Sequence, residues 1–154
     1  MNEPSSLPGI VAPPPLLYVT AFSIGGALEC FLPWSVAIHA ARFAGVLVFA
    51  LSAVIARWAF VTMKRQGTSA NPGKESVALS VTGPFSFSRN PIYLAMTGLY
   101  IGASFLIDSW WPMLFLAPLL VIMHWGVISR EERYLHSQFG EDYASYKASV
   151  RRWF

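Results

Sequence analysis

Four long apolar stretches dominate the chain, at residues 16–38, 43–61, 92–107 and 112–128. A helix needs about 20 mostly apolar residues to cross a hydrocarbon core of roughly 30 Å. The first two stretches are therefore predicted to span a membrane. The shorter third and fourth are predicted to form a helical hairpin over 92–128, because only Asp108, Ser109, Trp110 and Trp111 separate them. The paired tryptophans suit a membrane–water interface.

The polar remainder falls into three parts. Residues 1–15 carry Glu3, Pro8, Pro13, Pro14 and Pro15 and no basic lead, so an extended Pro-rich tail is expected rather than a cleaved signal peptide. Residues 62–91 form a polar connector, and 129–154 a tail of different material. In that tail "REERYLHSQFG" favours a helix that Gly140 can stop. A second short helix is expected beyond it, with Tyr143, Tyr146 and Val150 recurring at i, i+3 and i+7 on one face. The expected architecture is an all-α integral membrane protein of about four transmembrane helices, with a single domain over 16–154 and a helical tail.

Composition strengthens the membrane reading. Of 154 residues, 55% are hydrophobic and 12% charged, against about 25% charged in soluble domains. The mean hydropathy is +0.47. A net charge of +3 raises nucleic acid as a partner, but the basic residues sit where a membrane protein keeps them. Lys64, Arg65, Lys74 and Arg89 lie between stretches two and three, and Arg130, Arg133, Lys147, Arg151 and Arg152 follow stretch four. The positive-inside rule places both regions in the cytoplasm, and four crossings put the N-terminal end there too. One cysteine, Cys30, excludes an internal disulfide, and no Cys/His spacing suggests a structural metal site.

Two polar constellations border the apolar hairpin. In "GPFSFSRNPIYL" (residues 83–94) Gly83-Pro84 marks a turn, and Pro91 suits the first turn of a helix, where its missing N–H costs nothing. Asn90 is placed to N-cap that helix. Helix N-termini attract anions, and Arg89 adds a planar fork of donors suited to a carboxylate or phosphate. An ordinary cap beside a positive-inside arginine explains the same residues. The second constellation is Glu131-Glu132, just past stretch four, where carboxylates at a helix C-terminus oppose the macrodipole. Adjacent helical residues point about 100° apart, so one can face inward and bind a ligand or pair with Arg89. The alternative is a solvated cluster with local pairs such as Glu132–His136.

Other polar groups near the apolar stretches have simpler expected roles. Glu29 is expected to reach the outer interface near Trp34, Arg57 to snorkel, and His124 to be a packed, hydrogen-bonded residue. Met96, Met113 and Met123 are expected to pack. Gly98 and Gly102 form a G-x-x-x-G, a close-packing signal for membrane helices.

"GPFSFSRNPIYLAM" followed by "EERYLHSQFGEDYASYKASVRRWF" resembles the isoprenylcysteine carboxyl methyltransferase family in its compact prokaryotic form, a group related to membrane phospholipid N-methyltransferases. The matching positions are Arg89, Asn90, Pro91 and Tyr93; Glu131 and Glu132; and Phe139, Gly140, Tyr143 and Tyr146. The likeness extends over residues 64–154 and includes "GTSANP" at 67–72. Asn90 stands where many relatives have His, and the extra helices of larger relatives are missing.

The resemblance implies an S-adenosylmethionine-dependent methyltransferase of the prokaryotic inner membrane. Its cofactor pocket would face the cytoplasm, and a lipid-like or amphiphilic acceptor would enter from the bilayer. Arg89 and Asn90 would organise the cofactor's carboxylate end. Glu131 or Glu132 would bind its amine or ribose hydroxyls, or order Arg89. Tyr93, Tyr143 and Tyr146 would line the pocket beside Pro91, and Leu94 and Leu135 would flank the adenine. Two other readings stay open at this point: a nicotinamide-dependent membrane reductase of sterol-reductase type, which shares a similar arginine-proline-tyrosine motif, and a small non-enzymatic membrane subunit. Neither the acceptor nor the oligomeric state follows from the residues.

Overall fold

A computed structural model describes residues 9–68 and 78–153. Lys74 and most of "GTSANP" lie outside the described residues, as do Glu3 and Pro8. Five helices, α1 to α5, carry the architecture, and among the described residues the sole strand-like feature is an isolated antiparallel bridge between Ser35 and Ser109.

Helix α1 spans Pro14–Phe31. Prolines occupy its first turn, where a backbone donor is not needed, and the helix stops ahead of Pro33, as the restricted backbone before a proline favours. Residues 32–38, which apolarity assigned to the first span, are non-helical chain. The 9–13 lead is also not a free tail: Val11 N–H donates to the Gly126 carbonyl at 3.1 Å, and Arg130 Nη1 donates to the Gly9 carbonyl at 2.6 Å.

Helix α2 spans His39–Arg65, 27 residues, or about 40 Å of rise. It outruns the predicted 43–61 at both ends and finishes on Lys64 and Arg65, which complement the negative end of its dipole. Phe43, Leu47, Leu51, Val54 and Trp58 stand exposed along it, an apolar surface that water would not tolerate and lipid would. By length and composition, two helices can cross a membrane: residues 40–65 of α2 and the continuous run 110–149.

Helix α3, Pro91–Leu106, is apolar but shorter. The turn 107–109 joins it to α4, Trp110–Ile122. Although these two share a tight turn, α3 packs chiefly on α2 and α4 on α1. Glycines set those partners. A Cβ on Gly102 would lie 2.8 Å from the Phe49 backbone N and 2.9 Å from the Gly45 carbonyl oxygen, and one on Gly25 would lie 2.7 Å from the Pro112 backbone. The G-x-x-x-G therefore seats α3 against α2, with Ser52 opposite Gly98, and does not hold the hairpin together.

The chain does not break after α4. Residues Met123–Ile128 form a wide π-type turn that runs directly into α5, Ser129–Ser149. The expected separate tail is thus a continuation of the fourth apolar stretch. Gly140, at φ 51° and ψ −121°, is non-helical, so α5 is two helices joined at a kink, with the stop where the sequence predicts it. The core gathers Tyr18, Tyr93, Tyr100, Leu116, Leu119, Met123, Val127 and Ile128, with Met96, Met113 and Trp153 packed at its edge. The core tyrosine hydroxyls are all partnered: Tyr18 with Thr97 Oγ1 at 2.7 Å, Tyr93 with Glu131, and Tyr100 donating to the Pro112 carbonyl at 2.8 Å.

A candidate active site between the 88–93 loop and the last helix

Gly83–Ser86 forms one turn of 3-10 helix that begins at a positive φ of 63° on Gly83 and delivers Ser88, Arg89 and Asn90 to the start of α3. Pro91 takes the first helical position and is buried. Asn90 occupies the N-cap position, but its side chain caps nothing. Instead its Nδ2 donates to the Arg152 carbonyl at 3.1 Å, and its backbone N–H donates to Ser88 Oγ at 3.2 Å. The capping role predicted for the Asn90 side chain is corrected accordingly: the side chain ties the loop to the chain returning after α5 instead of accepting from the first turn of α3.

Arg89 and Glu132, 43 positions apart in sequence, meet at 3.2 Å between Nη1 and Oε1, with side chains only 9% and 10% exposed. Arg89 Nη1 also reaches the Tyr143 hydroxyl at 3.5 Å. Its Nε is buried and has no hydrogen-bond partner among the described residues. A buried donor of a charged group without an acceptor is costly.

Glu131 and Glu132 diverge as adjacent helical residues must. Glu131, half-buried, accepts from the Tyr93 hydroxyl at 2.8 Å. It lies past the apolar part of its helix, and burial pushes its pKa up. The Tyr93 hydrogen bond opposes that rise, and the neighbouring Glu132 charge adds to it. Glu132 is buried and turns the other way. Besides Arg89, it holds Arg152 in a two-pronged pair, Nε to Oε1 at 2.9 Å and Nη2 to Oε2 at 2.6 Å. The His136 pair considered from sequence does not form; His136 instead meets the Tyr143 ring edge-on at 6.3 Å between centroids. The premise that the two carboxylates end a helix also fails, because the π-type turn carries the helix past them.

The remaining predicted residues distribute unevenly. Tyr143 is almost wholly buried beside Arg89, and burial raises its pKa, so the phenol stays protonated. Tyr146 packs against Tyr143 but spends its hydroxyl on the Phe85 carbonyl at 2.7 Å. Leu94 and Leu135 are half-buried. Of the predicted site residues, Glu132 and Tyr143 line a cavity of about 190 Å³, together with Ser129, Arg133, His136 and Lys147.

Sequence reasoning missed Arg152, read as one of the positive-inside basic residues, while His124 is hydrogen-bonded as expected. Arg152 Nη1 lies 3.1 Å from His124 Nε2, and its guanidinium pKa is raised by the hydrogen bonds to Glu132. The available signal was weak: an arginine three residues past the last helix, beside another arginine.

The other polar groups fall elsewhere. Glu29 accepts from the Trp34 N–H at 3.1 Å, at the opposite end of the helices, as expected. Arg57 is exposed. Among the described residues no group of three or more His, Cys, Asp or Glu could hold a metal ion.

A family model described as phospholipid methyltransferase matches residues 40–142. An uncharacterized protein of Haemophilus influenzae is 47% identical over 34 residues, covering 22% of this chain and 54% of that protein, so the chain spans about half the length of that relative. No solved structure matches the chain.

Proposed function

The chain belongs to the phospholipid methyltransferase family, and from that premise we propose that it is an S-adenosylmethionine-dependent membrane methyltransferase acting on a lipid-like or amphiphilic acceptor, a prenylcysteine-type carboxylate among the candidates. The observation that carries the cofactor assignment is the buried, unpartnered Nε of Arg89 at the start of α3. A carboxylate supplies the acceptor this nitrogen lacks, in the planar geometry an arginine fork prefers.

The residues divide the work by charge. Glu132 is shared by Arg89 and Arg152, so two cations face this one carboxylate. Glu132 is thereby committed to holding Arg89 in place. Glu131 accepts from Tyr93 and carries a raised pKa, which supports it as the group that accepts a proton or binds an amine. Tyr143 presents an aromatic face beside Arg89, and such faces tolerate a cation.

When bound, S-adenosylmethionine supplies a methyl group already activated on a sulfonium. The protein then has to align the acceptor and exclude water. A carboxylate or thiolate acceptor needs no base. An amine must lose a proton, and Glu131 is positioned for that task.

The exposed apolar faces of α2 and α4 offer the acceptor a lateral route from the bilayer. In the proposed topology α1 to α4 make four crossings of a prokaryotic inner membrane, as one domain over 16–154. The connector, α5 and the active site face the cytoplasm.

Ligand-dependent melting of the detergent-purified protein tests the reading, since a bound ligand stabilises by RT ln(1 + [L]/Kd). S-adenosylhomocysteine is expected to raise the melting temperature and NADPH to leave it unchanged. A shift with NADPH alone would replace the methyltransferase with a reductase, and no shift with either would leave a non-catalytic subunit.

A further inference from the structure

The segment 150–153 after α5 makes more directed contacts with the site than its position suggests. Its backbone runs beside the 88–90 loop: the Arg89 N–H donates to the Arg151 carbonyl at 3.0 Å, and the Arg152 carbonyl accepts from both Ser88 Oγ and Asn90 Nδ2 at 3.1 Å. Trp153 packs against the core. Between those anchors the Arg152 guanidinium turns inward, forks onto both oxygens of Glu132 and touches His124 in the π-type turn. Arg151, its neighbour, stays exposed.

We infer that Arg152 is a positioning residue and that strap 150–153 holds the Arg89–Asn90 loop in the geometry the methyl donor needs. The physical reason is division of one carboxylate between two guanidiniums. Arg152 takes Glu132 in the two-pronged arrangement that fixes direction as well as distance, whereas Arg89 meets it through Nη1 at 3.2 Å. Glu132 is therefore aimed by Arg152, and Arg89 is aimed by Glu132 from one side and by the strap's backbone from the other. This leaves the Arg89 Nε without a protein acceptor among the described residues. A lysine cannot do the same at position 152, because it lacks the planar fork.

The inference rests on the methyl-donor reading for its ligand, but its structural half is testable without one. Arg152→Ala and Arg152→Lys would be compared with the parent protein by amide hydrogen exchange in the ligand-free state and by calorimetry with S-adenosylhomocysteine. In Arg152→Ala the Arg89 amide is expected to exchange about 10-fold faster or more, with the Ala95 amide inside α3 unchanged. Affinity is expected to fall by roughly 10- to 100-fold, with Arg152→Lys recovering only a minor part of it. The Michaelis constant for the donor should rise more than the turnover number falls. The inference is overturned if Arg89 exchange and ligand affinity both stay within about twofold in Arg152→Ala, or if exchange accelerates equally throughout α1–α4, which would make Arg152 a general stabiliser. If the parent protein does not bind S-adenosylhomocysteine while Arg89 exchange still accelerates selectively, the methyl-donor reading fails and the strap stands.

Discussion

The two ends of the helix assembly each carry carboxylates and arginines, and they use them differently. At the end where residues 32–38 meet the turn 107–109, Glu29 receives the Trp34 N–H and the Ser109 hydroxyl, the latter at 2.6 Å. Asp108 receives the Ala37 N–H at 3.2 Å and Arg42 Nη2 at 3.3 Å. Two non-glycine residues there, Ala37 and Asp108, sit at φ 57°, a conformation that asparagine and aspartate tolerate better than alanine. The hydrogen bonds that pin this loop to this turn offset that cost. Anions and donors are matched, and the cluster closes two turns.

At the other end Arg89 and Arg152 converge on one Glu132, and a buried guanidinium nitrogen remains without an acceptor. A satisfied cluster serves as structure. An unsatisfied one, where most buried polar groups are paired, is the observation on which the proposed cofactor site rests. Similar residue types at the two ends therefore carry different meanings, and the difference lies in the arithmetic of donors and acceptors.

The largest expected effect comes from removing the unmatched donor. Arg89→Ala is expected to lower methyl transfer by roughly 100-fold or more, as loss of placement does. The protein should still melt cooperatively, because Glu132 keeps both prongs of Arg152 and is not left as a bare buried charge. Normal turnover and unchanged S-adenosylhomocysteine affinity in this variant would make the two ends equivalent.

Next, the adjacent glutamates should separate. Glu132→Gln removes the shared anion between two arginines and is expected to weaken S-adenosylhomocysteine binding by about 10-fold, near one lost charge-assisted hydrogen bond. Glu131→Gln is expected to leave that binding within about twofold and to change the pH response instead. Burial raises the Glu131 pKa in the folded state, so the fold binds that proton more tightly than the unfolded chain does. This stabilisation is full below the ordinary carboxyl range and is lost as pH rises through the raised value. Melting curves across that window should slope downward with pH in the parent and flatten in Glu131→Gln. Equal affinity losses in the two variants would contradict the division of roles.

A packing change should affect both ends without favouring either. Gly102→Val forces a side chain into the Phe49 and Gly45 backbone and is expected to cost about 1–3 kcal/mol, the range for overpacking. Affinity per folded molecule should be unchanged. A Gly102→Val protein that melts like the parent would show that α3 does not need its close seat on α2.

The smallest functional effect is expected at the matched end. Glu29→Gln weakens the acceptor for Trp34 and Ser109 and should lower stability by roughly 1 kcal/mol, with turnover within about twofold of the parent. A large loss of turnover with intact stability would mean that this end, too, serves the reaction.

Local sequence determined the parts that local physics controls. Apolar length and proline placement gave helices over four stretches; Pro91 opened α3, Gly140 kinked α5, and the spacing of Tyr143 and Tyr146 put both rings on one buried face. The basic clusters and the Arg89, Glu131 and Glu132 motifs pointed to one end of the helices before any fold was known. Three decisions belonged to tertiary structure. Which helices pair depended on where Gly25, Gly45 and Gly102 face, and a glycine pattern does not name its partner. Whether the fourth apolar stretch ends before the glutamates depended on the π-type turn at Met123–Ile128, a widening that hydropathy cannot register. The fate of Arg152 depended on the chain turning back after α5: an arginine beside a membrane can reach water or a buried carboxylate, and only the fold brings Glu132 within 2.6 Å of it.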